Sequence, residues 1–132
     1  MSTVHGEINV SLSGGILRVE AVGPWNMEFF LLMHKRLLSF LPQIQDIRYG
    51  VLLIPIGETL PVPEAVDFHI RFLKYVRTSG VAVLLSETSV AGATRAICHQ
   101  VYSASNIEHE FFMEEKEASA WLMNQINQAE KE

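Results

Sequence analysis

RYGVLLIPIG at residues 48–57 is a short run of β-forming residues, and the longer helical stretch PEAVDFHIRFLKYVR follows it at residues 63–77. The same order occurs twice more, in GVAVLLS (80–86) before ATRAICHQVYS (93–103) and in HEFFM (109–113) before EEKEASAWLMNQI (114–126). A strand followed by a helix, repeated along the chain, is typical of parallel β-α units, whose crossovers are nearly always right-handed. The sequence therefore predicts an α/β fold with a mainly parallel sheet covered by helices.

Two further strand-like runs lie upstream, at residues 5–13 and 16–22, and Gly14 and Gly15 separate them. A Gly-Gly pair between two such runs is a strong signal for a two-residue hairpin turn, so an antiparallel hairpin is expected to open the fold. The later strands are expected at residues 51–54, 81–85 and 108–113, which gives a five-stranded sheet. Because Pro55 cannot donate a ladder hydrogen bond, regular pairing is expected to stop or bulge there.

Four helices are expected, one after each of the last four strands. The first begins at the capping residue Asn26 and runs to about Leu41, before Pro42. Its core face is expected to hold Phe29, Phe30, Met33, Leu37, Phe40 and Leu41. The second begins near Pro63 and is closed by Gly80, and the third runs to about Ser105. The inner stripe of the fourth is expected to hold Ala118, Trp121, Leu122 and Ile126.

The length and charge of the chain limit its class. With 132 residues, the chain has the size of one domain, so residues 1–132 are expected to share one core. Residues 107–132 hold seven acidic residues and two lysines, a difference that equals the whole net charge of −5. We interpret this acidic end as a solubilising helix surface rather than a docking site for a basic partner. Binding to phosphate backbones needs clustered Lys and Arg, so no nucleic-acid partner is expected.

Three features favour a cytoplasmic protein. The start of the chain, residues 1–14, has neither the basic residues nor the continuous apolar stretch of an export signal. The most apolar run, at residues 29–41, is interrupted by a histidine and two basic residues, so no membrane span is expected. Cys98 is the single cysteine, which permits no internal disulfide and is expected to be a small core residue.

Two helical surfaces are candidate protein interfaces. Leu31 and Leu38 of the first helix lie well off its main apolar face. On the second helix, Phe68, Phe72 and Tyr75 form a stripe beside the charged residues. Burial within the monomer remains the alternative for the leucines, and ordinary packing the alternative for the aromatic side chains. Because large exposed apolar patches are uncommon on monomers, a homodimer is expected.

Two loops are expected to form the ligand site. These loops hold Gly57, Glu58 and Thr59 after one parallel strand, and Ser86, Thr88 and Ser89 after the next. Ligands of open α/β sheets bind beyond the carboxyl ends of the strands. Both loops precede a helix, whose free amides attract an anion or a polar head group. The alternative is that the hydroxyl groups only cap the helices.

The sequence contains no strong catalytic or metal-binding pattern, so no catalytic residue, metal or cofactor is expected. The five histidines, His5, His34, His69, His99 and His109, show no ligand spacing within one element. Cys98 and His99 are adjacent on a helix, where their side chains diverge by about 100° and cannot act together. The usual hydrolase, NTPase and dinucleotide motifs are missing from the sequence. An enzyme that uses Glu58 with Thr59 is a third, weaker hypothesis.

The end of the chain carries the pattern F-x-x-x-E-x-A-x-x-W-L, on Phe111 or Phe112, Glu115 or Glu117, Ala118, Trp121 and Leu122. Together with the leading hairpin and the strand-helix order, this pattern resembles the SpoIIAA-like family of the STAS/CRAL-TRIO superfold, over nearly the whole chain. The resemblance implies one STAS-like domain. It indicates architecture better than activity, because a fold does not fix a function.

Two branches of that superfold imply different functions. Anti-sigma-factor antagonists are switched by phosphorylation of a hydroxyl residue before the second helix, often in an Asp-Ser-Ser-Gly-like stretch. Residues 57–61 read GETLP here, so only Thr59 occupies that place, and we expect no phosphoswitch. CRAL-TRIO domains hold a lipid in an apolar pocket, but they are longer. A chain of 132 residues leaves little room for both a core and a lipid-sized cavity.

The sequence therefore favours a non-enzymatic, cytoplasmic binding or regulatory domain of the STAS/SpoIIAA-like type that acts through protein-protein contacts. The alternative is a carrier or sensor of a small apolar or amphipathic ligand. Any bound molecule, apolar or anionic, is expected to contact the two loops that follow the parallel strands.

Overall fold

The computed structural model describes residues 7–131 of the chain, and the side chains of residues 7–128. Within that range one sheet of five strands has the order β1-β2-β3-β4-β5. The strands are β1 (Ile8–Ser13), β2 (Ile16–Val22), β3 (Gly50–Ile56), β4 (Val81–Leu84) and β5 (His109–Phe112). β1 pairs with β2 antiparallel, and β2 to β5 pair in parallel, as predicted. Residues 5 and 6 of the predicted first strand, including His5, lie outside the described residues.

The turn between β1 and β2 has the predicted Gly-Gly hairpin geometry. Gly14 and Gly15 have φ angles of 60° and 81°. Two central residues with positive φ are the requirement of a type I′ turn, which matches the twist of the flanking strands. Ser13 therefore pairs directly with Ile16 across the turn.

Five helices are present among the described residues: α1 (Met27–Ser39), α2 (Leu41–Ile44), α3 (Pro63–Leu73), α4 (Ala91–Ala104) and α5 (Glu115–Lys131). The prediction of four was wrong because the expected first helix is divided. The Phe40 amide donates to the Leu37 carbonyl, which tightens and ends α1. Pro42 lies in the first turn of α2, where its missing amide leaves no bond unmade. Leu41, expected on the core face, is 47% exposed.

β3 extends beyond its predicted end because only one of its two edges loses pairing at Pro55. On the β2 side, Pro55 pairs in register with Ala21. On the other side, the Val51 amide donates to the Gly80 carbonyl, just before β4. Alternate residues of a strand direct their amides to the same edge, so the missing amide of Pro55 belongs to the β4 edge. Pairing with β4 has already ended there, at Leu53.

α3 ends at Leu73, earlier than the predicted closure at Gly80. The segment that follows is held against β3 instead. The Ser79 amide donates to the Tyr49 carbonyl at 2.8 Å, and the Thr78 hydroxyl donates to the same carbonyl at 3.1 Å. These bonds direct the chain into β4 and leave no room for a further helical turn.

The two faces of the sheet are covered by different helices. α5 packs alone on one face, against β3, β4 and β5. Its inner stripe is confirmed, because Ala118, Leu122 and Ile126 are buried and Trp121 is partly buried. The larger core cluster lies on the other face and includes side chains of α1 to α4. None of the helices among residues 7–131 has the combination of length and apolar character that a membrane crossing requires.

Candidate functional site

An apolar cavity of about 140 Å³ lies between the sheet and the helices α1 to α4. Its floor consists of strand residues, namely Leu17, Val19, Val51, Leu53 and Val81. These positions alternate along their strands and therefore face the same side of the sheet. No Asp, Glu, Lys or Arg is among the described residues that line the cavity. Such a lining favours an apolar and uncharged occupant.

The cavity has a mouth formed by exposed apolar side chains. Leu38 at the end of α1 is 55% exposed, and Tyr75 just after α3 is 86% exposed. Both line the cavity, as does the exposed Leu41 at the start of α2. A small molecule can therefore enter between the ends of α1 and α3. Two of the residues predicted for a protein interface, Leu38 and Tyr75, lie at this mouth.

A buried pair of histidines joins α1 to α3 beside the cavity. His34 Nε2 and His69 Nδ1 are 2.8 Å apart, and both side chains are buried. Burial lowers the pKa of His34 to about 4. Burial, with a smaller contribution from His34, lowers the pKa of His69 to about 3. Both imidazoles are therefore neutral at pH 7, and one ring nitrogen donates a hydrogen bond to the other.

Aromatic rings hold this pair in place. The His34 ring stacks on Phe72 with the centroids 3.8 Å apart and the planes 3° apart. Phe68 lies 4.9 Å from the same ring. Phe68 and Phe72, both predicted as interface residues, thus pack largely within the monomer. Leu31, the remaining predicted interface residue, is 53% exposed. The interface itself stays a prediction.

The histidine pair was not predicted from the sequence, although the periodicity of the two helices contains a signal for it. His69 lies three residues after Val66 and four before Leu73, so it shares their buried stripe. His34 lies four residues after Phe30 and shares the core face of α1. The spacing of metal ligands along the sequence is a signal only when the ligands lie on one helix, strand or loop. These histidines are 35 residues apart and meet only through the packing of two helices.

The two predicted ligand loops lie against each other, and their hydroxyl groups bond mainly to protein atoms. The Gly57 carbonyl accepts hydrogen bonds from the Ser89 amide at 2.9 Å and the Thr88 hydroxyl at 3.0 Å. The Thr59 hydroxyl lies 2.6 Å from that of Thr88 and 2.8 Å from that of Thr94. Thr59 is fully buried.

These contacts join the two loops to each other, and neither α3 nor α4 has a side-chain hydrogen bond from its N-cap residue, so they do not support the capping alternative. The Thr88 oxygen also accepts a hydrogen bond from the Val90 amide, directly before α4. Glu58 and Ser86 remain exposed, and Gly57 has a positive φ of 79°. Any side chain at Gly23 would overlap the backbone of Glu58, so the end of β2 also packs on this loop. Binding of an anion or polar head group at Gly57–Thr59 and 86–89 stays a prediction.

The remaining candidates for metal or nucleophilic chemistry are two histidines and one cysteine. His99 Nδ1 and His109 Nε2 are 2.9 Å apart, and the His109 Nδ1 donates to the Ile107 carbonyl. Among residues 7–131, no three His, Cys, Asp or Glu side chains form a group that could hold a metal ion. Cys98 is buried, as predicted, and burial raises the pKa of its thiol to about 12. The thiol is therefore protonated and is a poor nucleophile.

The acidic first turn of α5 contributes an ion pair to the other face of the sheet. Arg18 donates to both carboxylate oxygens of Glu115, at 2.8 and 3.0 Å, and to Glu20 at 2.8 Å. The bonds from Arg18 lower the pKa of Glu115. This bidentate pair fixes the start of α5 on β2, and neither Arg18 nor Glu115 lines the cavity.

The sequence matches no protein-family model, and no curated protein matches it either. Among solved structures, the chain is similar to an uncharacterized protein of the DUF3478 family with a SpoIIAA-like fold, from Shewanella loihica PV-4. The two chains are 22% identical, with a TM-score of 0.64, over 92% of this chain and 98% of the other. A likeness at this level of identity establishes architecture and leaves activity open. The chain therefore has a SpoIIAA-like α/β fold.

Proposed function

We propose that this protein is a non-enzymatic binding domain that takes up a small apolar molecule in the cavity between the sheet and α1 to α4. The proposal rests on the cavity volume of about 140 Å³ and on a lining without Asp, Glu, Lys or Arg among the described residues. An engineered apolar cavity of about 150 Å³ stays dry and binds benzene. The cavity in this protein therefore fits a molecule of about that size, which is much smaller than a membrane lipid.

The cavity wall gives the proposal its energetic basis. Apolar surface removed from water contributes roughly 25 cal/mol for each Å². Atoms that line a dry cavity lack van der Waals partners on the side of the cavity. A guest molecule that fits the cavity restores those contacts. The exposed mouth at Leu38, Leu41 and Tyr75 gives the guest an entrance that needs no unfolding of the core. A carrier or a sensor can both use such a site.

Titration of the ¹⁵N-labelled protein with benzene and with toluene tests this proposal. We expect amide shift changes concentrated on the cavity-lining residues of α1, α3 and α4. Val101→Phe fills the cavity and should weaken binding of both probes at least tenfold. Val62→Phe is the matched control, because Val62 is exposed and does not line the cavity. The proposal is wrong if neither probe shifts these residues, or if Val101→Phe binds them as the wild type does.

A regulatory role through protein-protein contacts is the second proposal. The exposure of Leu31 and Leu38 on α1 supports it, because exposed apolar side chains on one helix favour a partner surface. The two proposals are compatible, since Leu38 also lies at the mouth of the cavity. A guest at the mouth would then alter the surface that a partner contacts.

A further inference from the structure

We infer that the cavity takes a neutral, amphipathic molecule whose single hydroxyl group hydrogen-bonds to His69 Nε2. This inference rests on the proposed function and adds the chemical class of the ligand. Small phenols and short-chain alcohols belong to that class. The juxtaposition that carries it is a buried imidazole with one free ring nitrogen in the wall of an otherwise apolar cavity.

The His69 ring and the Tyr102 hydroxyl are both buried in the cavity wall, and each has a polar atom without a hydrogen-bond partner among the described residues. The Trp25 indole N–H donates to the Ala21 carbonyl at 3.3 Å. Burial raises the pKa of the Tyr49 hydroxyl, and the backbone of Arg77 opposes this shift. His69 uses Nδ1 in its bond to His34, and its Nε2 has no hydrogen-bond partner among the described residues. Native proteins leave few buried polar atoms unpaired, so a free ring nitrogen at a cavity indicates a polar group of the guest.

The His69 ring is held in one orientation. The ring of Phe30 lies 5.0 Å from it, and the His34 ring, bonded edge to edge through its Nε2, lies at 5.0 Å with the planes 14° apart. An oriented nitrogen favours a guest whose polar group is at one end and whose apolar body fills the rest of the cavity. This geometry distinguishes an amphipathic guest from a fully apolar one.

The polar group of the guest is uncharged. Among the residues that the structure describes, no Asp, Glu, Lys or Arg lines the cavity, and the histidine pair is neutral at pH 7. A carboxylate, phosphate or ammonium group would lose its hydration without gaining an ionic partner. A hydroxyl group both donates and accepts, so it can pair with His69 Nε2 in either tautomer of the histidine pair. A hydroxyl therefore fits the site better than a group that only accepts.

Phenol and toluene form a matched pair of probes, because they have nearly the same shape and differ in one hydroxyl. In an apolar cavity without a partner for the hydroxyl, toluene binds better, since phenol loses more hydration. We expect the wild type to bind phenol at least as tightly as toluene at pH 7, measured by calorimetry or NMR titration. His69→Phe should lower the phenol-to-toluene affinity ratio about three- to tenfold, the range of one neutral hydrogen bond.

Two further variants make the assignment specific to His69. His99→Phe removes an exposed histidine outside the cavity and should keep the wild-type ratio. Tyr102 also lines the cavity, and its hydroxyl has no hydrogen-bond partner among the described residues. If Tyr102→Phe abolishes the phenol preference while His69→Phe keeps it, the assignment to His69 is wrong.

A measurement on the wild-type protein covers the case in which His69→Phe does not fold. Phenol should shift the imidazole ¹⁵N resonance of His69 Nε2, and toluene should leave it nearly unchanged. Phenol that binds without moving this resonance would overturn the inference. If toluene binds and phenol does not, this inference fails and the proposed function stands. If neither probe binds, the proposed function itself fails.

Discussion

At the scale of single residues, burial determines which polar groups remain able to react or to bind a ligand. Burial holds the Cys98 thiol in its protonated form and keeps His34 and His69 neutral. It also places the Thr59 hydroxyl in bonds to two other threonines. His69 differs from His34 and Thr59, because it lines the cavity and its Nε2 has no hydrogen-bond partner among the described residues. The residue with the strongest case for ligand contact is therefore a core histidine.

The histidine pair predicts a loss of stability in mild acid. The pKa values fall from 6.5 to about 4 in His34 and to about 3 in His69. Below pH 6.5 the unfolded chain binds protons that the folded protein does not, so the free energy of unfolding decreases as the pH falls. The limit is about 1.4 kcal/mol per pH unit for each histidine, and the decrease levels off below about pH 3 to 4. Above pH 6.5 neither state is protonated, and the contribution to the pH dependence vanishes.

Urea unfolding at pH 7 and pH 5 measures this effect. We expect the difference in unfolding free energy between the two pH values to shrink by about 2–4 kcal/mol in the double variant His34→Phe/His69→Phe. The double variant His99→Phe/His109→Phe is the matched control, because it removes the pair outside the cavity layer. An unchanged pH dependence in the first double variant would contradict the burial argument.

At the scale of elements, the loops after β3 and β4 connect the starts of α3 and α4. Gly57 accepts hydrogen bonds from Thr88 and Ser89, and the buried Thr59 bonds to Thr94 inside α4. The main-chain bond from the Gly57 amide to the Glu87 carbonyl adds to the junction. Because these groups bond to one another, we name the junction the Thr59 clasp and infer a structural role for it. Binding of an anion there stays a prediction.

This clasp predicts that Thr59 is not a physiological phosphorylation site. A kinase needs an accessible hydroxyl, and a phosphate would bring about −1.5 to −2 charges into a fully buried position. Thr59→Glu should therefore destabilise the protein by several kcal/mol, because it buries an unpaired carboxylate. Thr59→Val should cost about 1–3 kcal/mol, because it leaves its hydrogen-bond partners unpaired. Urea denaturation measures both changes.

Ser86→Glu is the control for Thr59→Glu, since Ser86 lies in the neighbouring loop and is exposed. Phosphopeptide mapping of protein from its native cells tests the regulatory question directly. Substantial occupancy at Thr59 would support the anti-sigma-antagonist function, provided that a partner binds Thr59→Ala and not Thr59→Glu.

At the scale of the whole molecule, the sheet separates two cores of different character. The core under α5 is formed by small and branched side chains, with Ala118 and Leu122 fully buried. The core under α1 to α4 is larger, contains the cavity and is bordered by exposed leucines. The face with α1 to α4 is therefore the face on which ligand binding and association are to be sought.

We predict that the protein forms a homodimer through α1. Burial of the exposed part of Leu31 and Leu38 would add roughly 1–2 kcal/mol for each side chain. Leu31→Glu should therefore raise the dimer dissociation constant at least tenfold without unfolding the chain. Sedimentation velocity measures the association, and Ile47→Glu is the control, because Ile47 is comparably exposed but lies outside α1. A wild-type monomer at high micromolar concentration would rule out the dimer.

The sequence alone determined the features that depend on neighbouring residues. The Gly14-Gly15 turn, the strand-helix order and the inner stripe of α5 follow from local propensity and periodicity, and all three are confirmed. Such patterns arise within about ten consecutive residues, so one chain segment contains the whole signal. The resemblance to SpoIIAA-like proteins, which rests on the hairpin, the strand-helix order and the closing pattern, gave the right fold for the same reason.

Only the tertiary structure decided the features that depend on distant residues. The division of the first helix, the Thr59 clasp, the His34–His69 pair and the cavity each depend on contacts between separate elements. Periodicity places His69 on a buried stripe, but it does not identify the ring that packs against it. A cavity is a mismatch between the volumes of packed side chains, and no single segment contains that mismatch. The fold could therefore be predicted from local sequence patterns. The candidate site could not, because it is formed by the packing of the helices on the sheet.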